Sequence, residues 1–144
     1  MPVTAPSLVD PNLAKLIELT FGKTPRHALI VEDDHEIAEL LGAICQEASY
    51  ETKVTGNVKD ALEAVTPDLS IAFIDLRLPN GIGVRVADAV TECQPNCLIV
   101  VMSGYGDEEL RKAQLIKPPI LLRKPFGADV IRFLLGVRPH AASQ

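Results

Sequence analysis

The chain has 144 residues, of which 47% are hydrophobic and 23% charged, and its net charge is −5. That composition suits one globular domain with a real core, and the acidic balance argues against a nonspecific nucleic-acid binder. No apolar run approaches about 18 residues, so no membrane span is expected, and the opening MPVTAPSLVDPN lacks the basic and apolar regions of a secretory signal.

Residues 1–25 read as an extension. Asp10-Pro11 fits an N-cap followed by proline at the first helical position; Leu13, Leu16 and Ile17 share a helical face, and Gly22 can end the helix. A regular alternation follows. Ala28-Leu29-Ile30-Val31 is a short apolar strand, and Asp34 can cap a helix striped by Ile37, Leu41, Ile44, Cys45 and Ala48. Glu51 to Thr55 is a mixed strand suited to a sheet edge. Asn57 can cap a helix with Val58, Ala61, Leu62 and Val65 on one face. Thr66-Pro67-Asp68 turns into the strand Ile71–Ile74, and Val86, Ala89, Val90 and Cys93 stripe the next helix. Gln94-Pro95-Asn96 turns into Leu98–Met102. A polar helix near Asp107 to Gln114, a strand Ile120-Leu121-Leu122 and a helix striped by Val130, Phe133, Leu134 and Val137 complete the set, before a tail at residues 138–144.

Five β-α units with continuous apolar strands predict an α/β fold, a parallel sheet covered on both faces. Cys45, Cys93 and Cys97, an odd count, read as reduced cytosolic thiols used as small buried hydrophobes; no His or Cys cluster accompanies them as a metal site would require.

In such a sheet, sites form beyond the carboxyl ends of the strands. The first strand ends in Glu32-Asp33-Asp34, the third in Asp75, the fourth in Ser103-Gly104, and the fifth in Arg123-Lys124-Pro125-Phe126. Singly, each has an ordinary use: cap, solvated acid, turn or surface lysine. Together they bring three carboxylates, a hydroxyl and an ammonium to one edge. Converging carboxylates repel, so one takes a proton or a cation neutralises them. A hard divalent ion such as Mg²⁺ does the latter. Lys124 and Ser103 can contact a phosphoryl group, and a carboxylate can carry one covalently.

These residues lie in four ordered motifs, LIVEDD, FIDLRLPNGIG, VVMSGYG and LLRKPF. The chain thereby resembles the receiver domain of bacterial two-component response regulators over about 26–137. The resemblance implies a flavodoxin-like sandwich whose five parallel strands have the order 2-1-3-4-5. It implies Asp75 as phosphoacceptor, Mg²⁺ held by Glu32, Asp33, Asp75 and the Arg77 carbonyl, Ser103 and Lys124 at the phosphoryl group, and a cis bond before Pro125. The family's usual aromatic switch residue is Leu121 here, and Ile82 replaces an acid. Arg77 and Tyr105 occupy positions that tune dephosphorylation, and their bulk suggests a long-lived phosphoaspartate.

The expected function is that of a stand-alone, non-enzymatic cytoplasmic regulator. It would take a phosphoryl group from a histidine kinase or phosphotransfer protein. The chain ends soon after its last helix, so output is expected through a downstream protein, not through direct nucleic-acid or membrane contact. The extension would pack on the domain or pair two copies as a homodimer. The alternatives are a phosphorylation-independent binding module and a Mg²⁺-dependent phosphohydrolase. The latter is disfavoured by the absence of room for a cap domain and of the Thr or Val expected after VEDD. A flavin-binding flavodoxin is disfavoured because three acids stand where it needs a phosphate loop.

Overall fold

The computed structural model describes residues 11–21, 25–79, 81–104 and 108–137. Helix α1 (Pro11–Phe21) precedes β1 (Arg26–Val31), α2 (His35–Glu47), β2 (Tyr50–Thr55), α3 (Val58–Glu63) and β3 (Leu69–Asp75). A two-residue pair, β4 (Arg77–Leu78) and β5 (Gly81–Ile82), leads to α4 (Val84–Cys93), β6 (Leu98–Ser103), α5 (Glu108–Lys112), β7 (Ile120–Arg123) and α6 (Ala128–Leu134). Strands β2-β1-β3-β6-β7 form one five-stranded sheet in that order, and every pairing in it is parallel. This is the expected 2-1-3-4-5 layout, with the mixed strand β2 at an edge.

Strand alternation divides the core between the two faces of the sheet. Leu29, Val31, Ala72, Ile74, Ile99 and Val101 face α3 and α4, where they meet Val58, Ala61, Val86 and Val90. Ala28, Ile30, Ile71, Phe73, Val100 and Met102 face α2 and α6, where they meet Leu41, Ile44, Ile131 and Leu135. Because helices cover both faces, the central strands are continuously apolar through their middles, and β1 is fully buried from Ala28 to Val31.

The caps form as the sequence predicts. Asp34 Oδ1 accepts from the Glu36 and Ile37 N–H groups at 2.9 and 3.3 Å. Asn57 Oδ1 accepts from the Asp60 N–H at 2.8 Å. The expected α1 boundaries, Asp10 and Gly22, lie outside the described residues. The chain leaves α2 through Ser49, whose φ of 67° is the left-handed conformation glycine takes without cost. Ser49→Gly is expected to raise unfolding stability by about 0.5 to 1 kcal/mol, read by urea denaturation with an unchanged m-value.

Two helical stripes are rotated from their expected positions. In α4 the buried residues are Val86, Ala87, Val90 and Thr91; Ala89 is half-buried and Cys93 is exposed. Cys93 is therefore not the buried hydrophobe expected, whereas Cys45 and Cys97 are. In α6, Ile131 and the following Leu135 are buried, while Phe133 is 76% exposed. Val130 and Leu134 flank that buried line rather than forming it, and Val137 is exposed. The segment after α5 is tied down: Ile116 N–H donates to Asp88 Oδ1 at 3.0 Å, and Lys117 Nζ to the Pro95 and Cys97 carbonyls at 2.9 and 2.8 Å. Among the described residues no helix is long and apolar enough to cross a membrane.

Candidate functional site

Four strand ends build the site. Strand β1 buries Ala28 to Val31 and then releases Glu32, 3% exposed, and Asp33, exposed. Strand β3 delivers Asp75, 6% exposed, as its last residue, paired in register with Met102. The run Ile71–Ile74 thus serves as a buried rod that carries one carboxylate to the sheet edge. Ser103, also buried, ends β6, and its carbonyl accepts the Lys124 N–H at 2.8 Å. That bond draws Lys124, just past β7, in toward Asp75. The Lys124–Pro125 peptide bond is cis.

One carboxylate oxygen from each of Glu32, Asp33 and Asp75 lies within 4.8 Å of the others. Lys124 Nζ bridges two of these acids, 2.8 Å from Glu32 Oε1 and 3.2 Å from Asp75 Oδ2. Glu32 Oε2 accepts from the Asp34 N–H at 3.1 Å, and Asp75 Oδ1 from the Arg77 N–H at 3.2 Å. Glu32 Oε1 has the ionic contact to Lys124 but no directed hydrogen bond, and it is buried. Burial pushes the Glu32 carboxyl up to about 7; neighbouring Asp75 pushes the same way, against the Lys124 ammonium and the Asp34 N–H. For Lys124, burial pulls the pKa down, but the pull of Glu32 and Asp75 outweighs it and holds it above the ordinary lysine value.

The donor set therefore fits a hard cation. It is all oxygen, it concentrates negative charge, and it includes a buried carboxylate oxygen lacking a directed donor. Glu32, Asp33 and Asp75 could hold Mg²⁺; Lys124 supplies a positive charge at the same edge.

Of the other predicted residues, Leu121 is half-buried and packs with Leu110 and Leu115 against the α3–α4 side of the core. Arg77 lies in the β4–β5 ribbon opposite Ile82, with its side chain exposed. Tyr105 lies outside the described residues.

Three supports complete the site. The Thr55 carbonyl, at the end of β2, accepts the Glu32 N–H at 2.9 Å, and Thr55 Oγ1 donates to the Ile30 carbonyl at 3.3 Å. Asp34 caps α2 with its side chain and steadies Glu32 with its N–H. Gly83 closes the loop after Asp75: its N–H donates to the Leu76 carbonyl at 2.7 Å, and a Cβ there would lie 2.2 Å from the Asp75 carbonyl oxygen. Beside Lys124, a cleft of about 330 Å³ is lined by Ile37, Leu40, Gly104, Pro125 and Phe126.

Comparison with known proteins gives one consistent picture. Residues 28–133 match the family model described as response regulator receiver domain. The photosynthetic apparatus regulatory protein RegA of Rhodobacter capsulatus is 34% identical over 83 residues, 56% of this chain and 45% of that protein. The chemotaxis protein CheY of Treponema pallidum is 27% identical over 96 residues, 64% of this chain and 67% of that protein. The crystal structure of a sensor protein from Polaromonas sp. JS666 superposes with a TM-score of 0.64 at 28% identity, covering 79% of this chain and 94% of that one. The matched stretch thus spans less than half of RegA's own length.

Proposed function

The chain belongs to the response regulator receiver domain family, and on that footing we propose that it accepts a phosphoryl group on Asp75 from a phosphohistidine donor. The observation that carries the reading is the convergence of Glu32, Asp33 and Asp75 within 4.8 Å, with Lys124 bridging two of them. An oxygen of Asp75 forms the new P–O bond as the P–N bond to the donor imidazole breaks. The imidazole leaves neutral, its proton on the other nitrogen. Lys124 Nζ, already 3.2 Å from Asp75 Oδ2, balances charge on the transferred group, and Ser103 at the end of β6 receives it. Mg²⁺ held by Glu32, Asp33, Asp75 and the Arg77 carbonyl would neutralise the phosphoryl oxygens. The apolar cleft beside Lys124 offers a seat for the donor, a histidine kinase or phosphotransfer protein.

In this reading the protein is a cytoplasmic signalling protein whose added charge, about −1.5 to −2, alters its surface toward a downstream protein. The receiver spans residues 26–137. The test is intact mass after incubation with acetyl phosphate and Mg²⁺. A gain of one phosphoryl group, about 80 Da, is expected, and neither Asp75→Asn nor a chelator-treated sample should show it. If neither Mg²⁺ nor beryllofluoride binds, the reading is wrong and a phosphorylation-independent binding module replaces it.

Arg77 is exposed two residues beyond Asp75, where its length hinders an approaching water. Arg77→Asn is therefore expected to shorten the phosphoaspartate half-life several-fold, about 1 kcal/mol in barrier. An unchanged half-life would remove Arg77 from that role.

A further inference from the structure

Residues 113–119, between α5 and β7, form an irregular strap. The elements on either side of it do little to hold it. Helix α5 has five residues, far fewer than the about 12 to 15 that sustain an isolated helix in water. Pro118 and Pro119 have no N–H to donate, so the ladder that β7 makes with β6 has no donors to extend into the strap.

Its fixation falls to side chains. The Ile116 N–H donates to Asp88 Oδ1 of α4 at 3.0 Å. Lys117, half-buried, crosses to the turn between α4 and β6, where its ammonium donates to the Pro95 carbonyl at 2.9 Å and the Cys97 carbonyl at 2.8 Å. These are the short distances of charge-assisted bonds, the stronger class of hydrogen bond. One charged group thus seats the strap on two acceptors that lie outside any helix or strand. Lys117 also has leverage on α5. Leu110 in α5 and Leu115 in the strap pack against the α3–α4 side of the core, but both are only partly buried, and Ile116 beside them is 57% exposed. A short helix with few buried apolar contacts opens at less cost than the whole domain unfolds.

We propose that Lys117 is the fastener of this strap. With its ammonium seated on the Pro95 and Cys97 carbonyls, α5 and residues 113–119 stay folded down. Without it they open together as one unit while the five-stranded sheet remains intact. Opening exposes Leu110 and Leu115, apolar side chains that the closed strap keeps partly covered. It needs no phosphoryl group on Asp75.

The test is hydrogen exchange followed by mass spectrometry on the full chain, with no phosphoryl donor present. In the unaltered chain the amides of residues 108–117 should exchange as one block, at least about a hundredfold faster than those of β1 and β3. Lys117→Met keeps the apolar stem and removes the ammonium. It should speed exchange of that block by about tenfold or more and leave β1, β3 and α2 unchanged. Asp88→Ala, which removes the acceptor of the Ile116 N–H, should speed the same block by a smaller factor. Lys112→Met alters an exposed lysine of α5 and should change the block by less than about twofold. A rise in Lys117→Met spread equally over the whole chain would mark a global loss of stability and overturn the proposal. So would a block indifferent to Lys117→Met, or one that Lys112→Met speeds as much. Separate rates for α5 and the strap in the unaltered chain would also overturn it, without recourse to any variant.

Discussion

Gly83→Ala is expected to destabilise the domain by about 2 to 4 kcal/mol and to impair phosphoryl uptake with it. Gly83 has φ −62° and ψ −14°, an ordinary helical conformation at the start of α4. That backbone conformation does not itself require glycine. The obstacle is contact: a Cβ would sit 2.2 Å from the Asp75 carbonyl oxygen and 2.7 Å from Ile74 Cγ2. Neither neighbour is the free end of a flexible side chain. The carbonyl belongs to the residue whose carboxylate is the proposed phosphoacceptor, so relief of the clash displaces the site. Chemical denaturation measures the loss, and a variant as stable as the unaltered chain would show that the loop accommodates the methyl group.

Removing the buried acid should change the response to pH. Burial favours the neutral form of Glu32 and raises its pKa from 4.5 to about 7, so the folded chain binds this proton more tightly than the unfolded chain does. Between those two values the folded state keeps a proton that the unfolded state has released. The contribution of Glu32 to stability is thus full below about 4.5 and declines as pH rises toward about 7. In chelator, the unaltered chain is expected to lose on the order of 1 to 3 kcal/mol across this window relative to Glu32→Gln. Mg²⁺ at pH 8 should restore stability to the unaltered chain and do little for the variant. Parallel pH profiles of the two in chelator would contradict this account.

The sequence displayed the sheet well because its central strands are buried on both faces. Runs such as Leu29-Ile30-Val31 and Ile71–Ile74 need no periodicity to be seen, and the acids that end them stand out by contrast. The same contrast exposed Glu32, Asp33, Asp75 and Lys124 as one group. Helix phase was harder to see. Around α6 the apolar residues Val130, Ile131, Phe133, Leu134, Leu135 and Val137 satisfy two overlapping helical stripes, and only the position of the sheet selects the one through Ile131 and Leu135. In α4, Ala87 and Thr91 take the buried places for which Ala89 and Cys93 were the apolar candidates. The β4–β5 ribbon has two residues per strand, too few to show a period. The supports of the site were hidden for another reason. Thr55 works through its carbonyl and Asp34 through its N–H, groups that any residue possesses.

Thr55 ends β2, whose outer flank has no neighbouring strand among the described residues. The backbone of Glu32 is nonetheless moored to it. The acidic pocket therefore draws its rigidity partly from the margin of the sheet, where hydrogen bonds open most readily, and not from the densely packed centre alone. Fraying of this border would remove one of the anchors of the carboxylate cluster, so the order of the pocket is tied in part to the integrity of an edge strand.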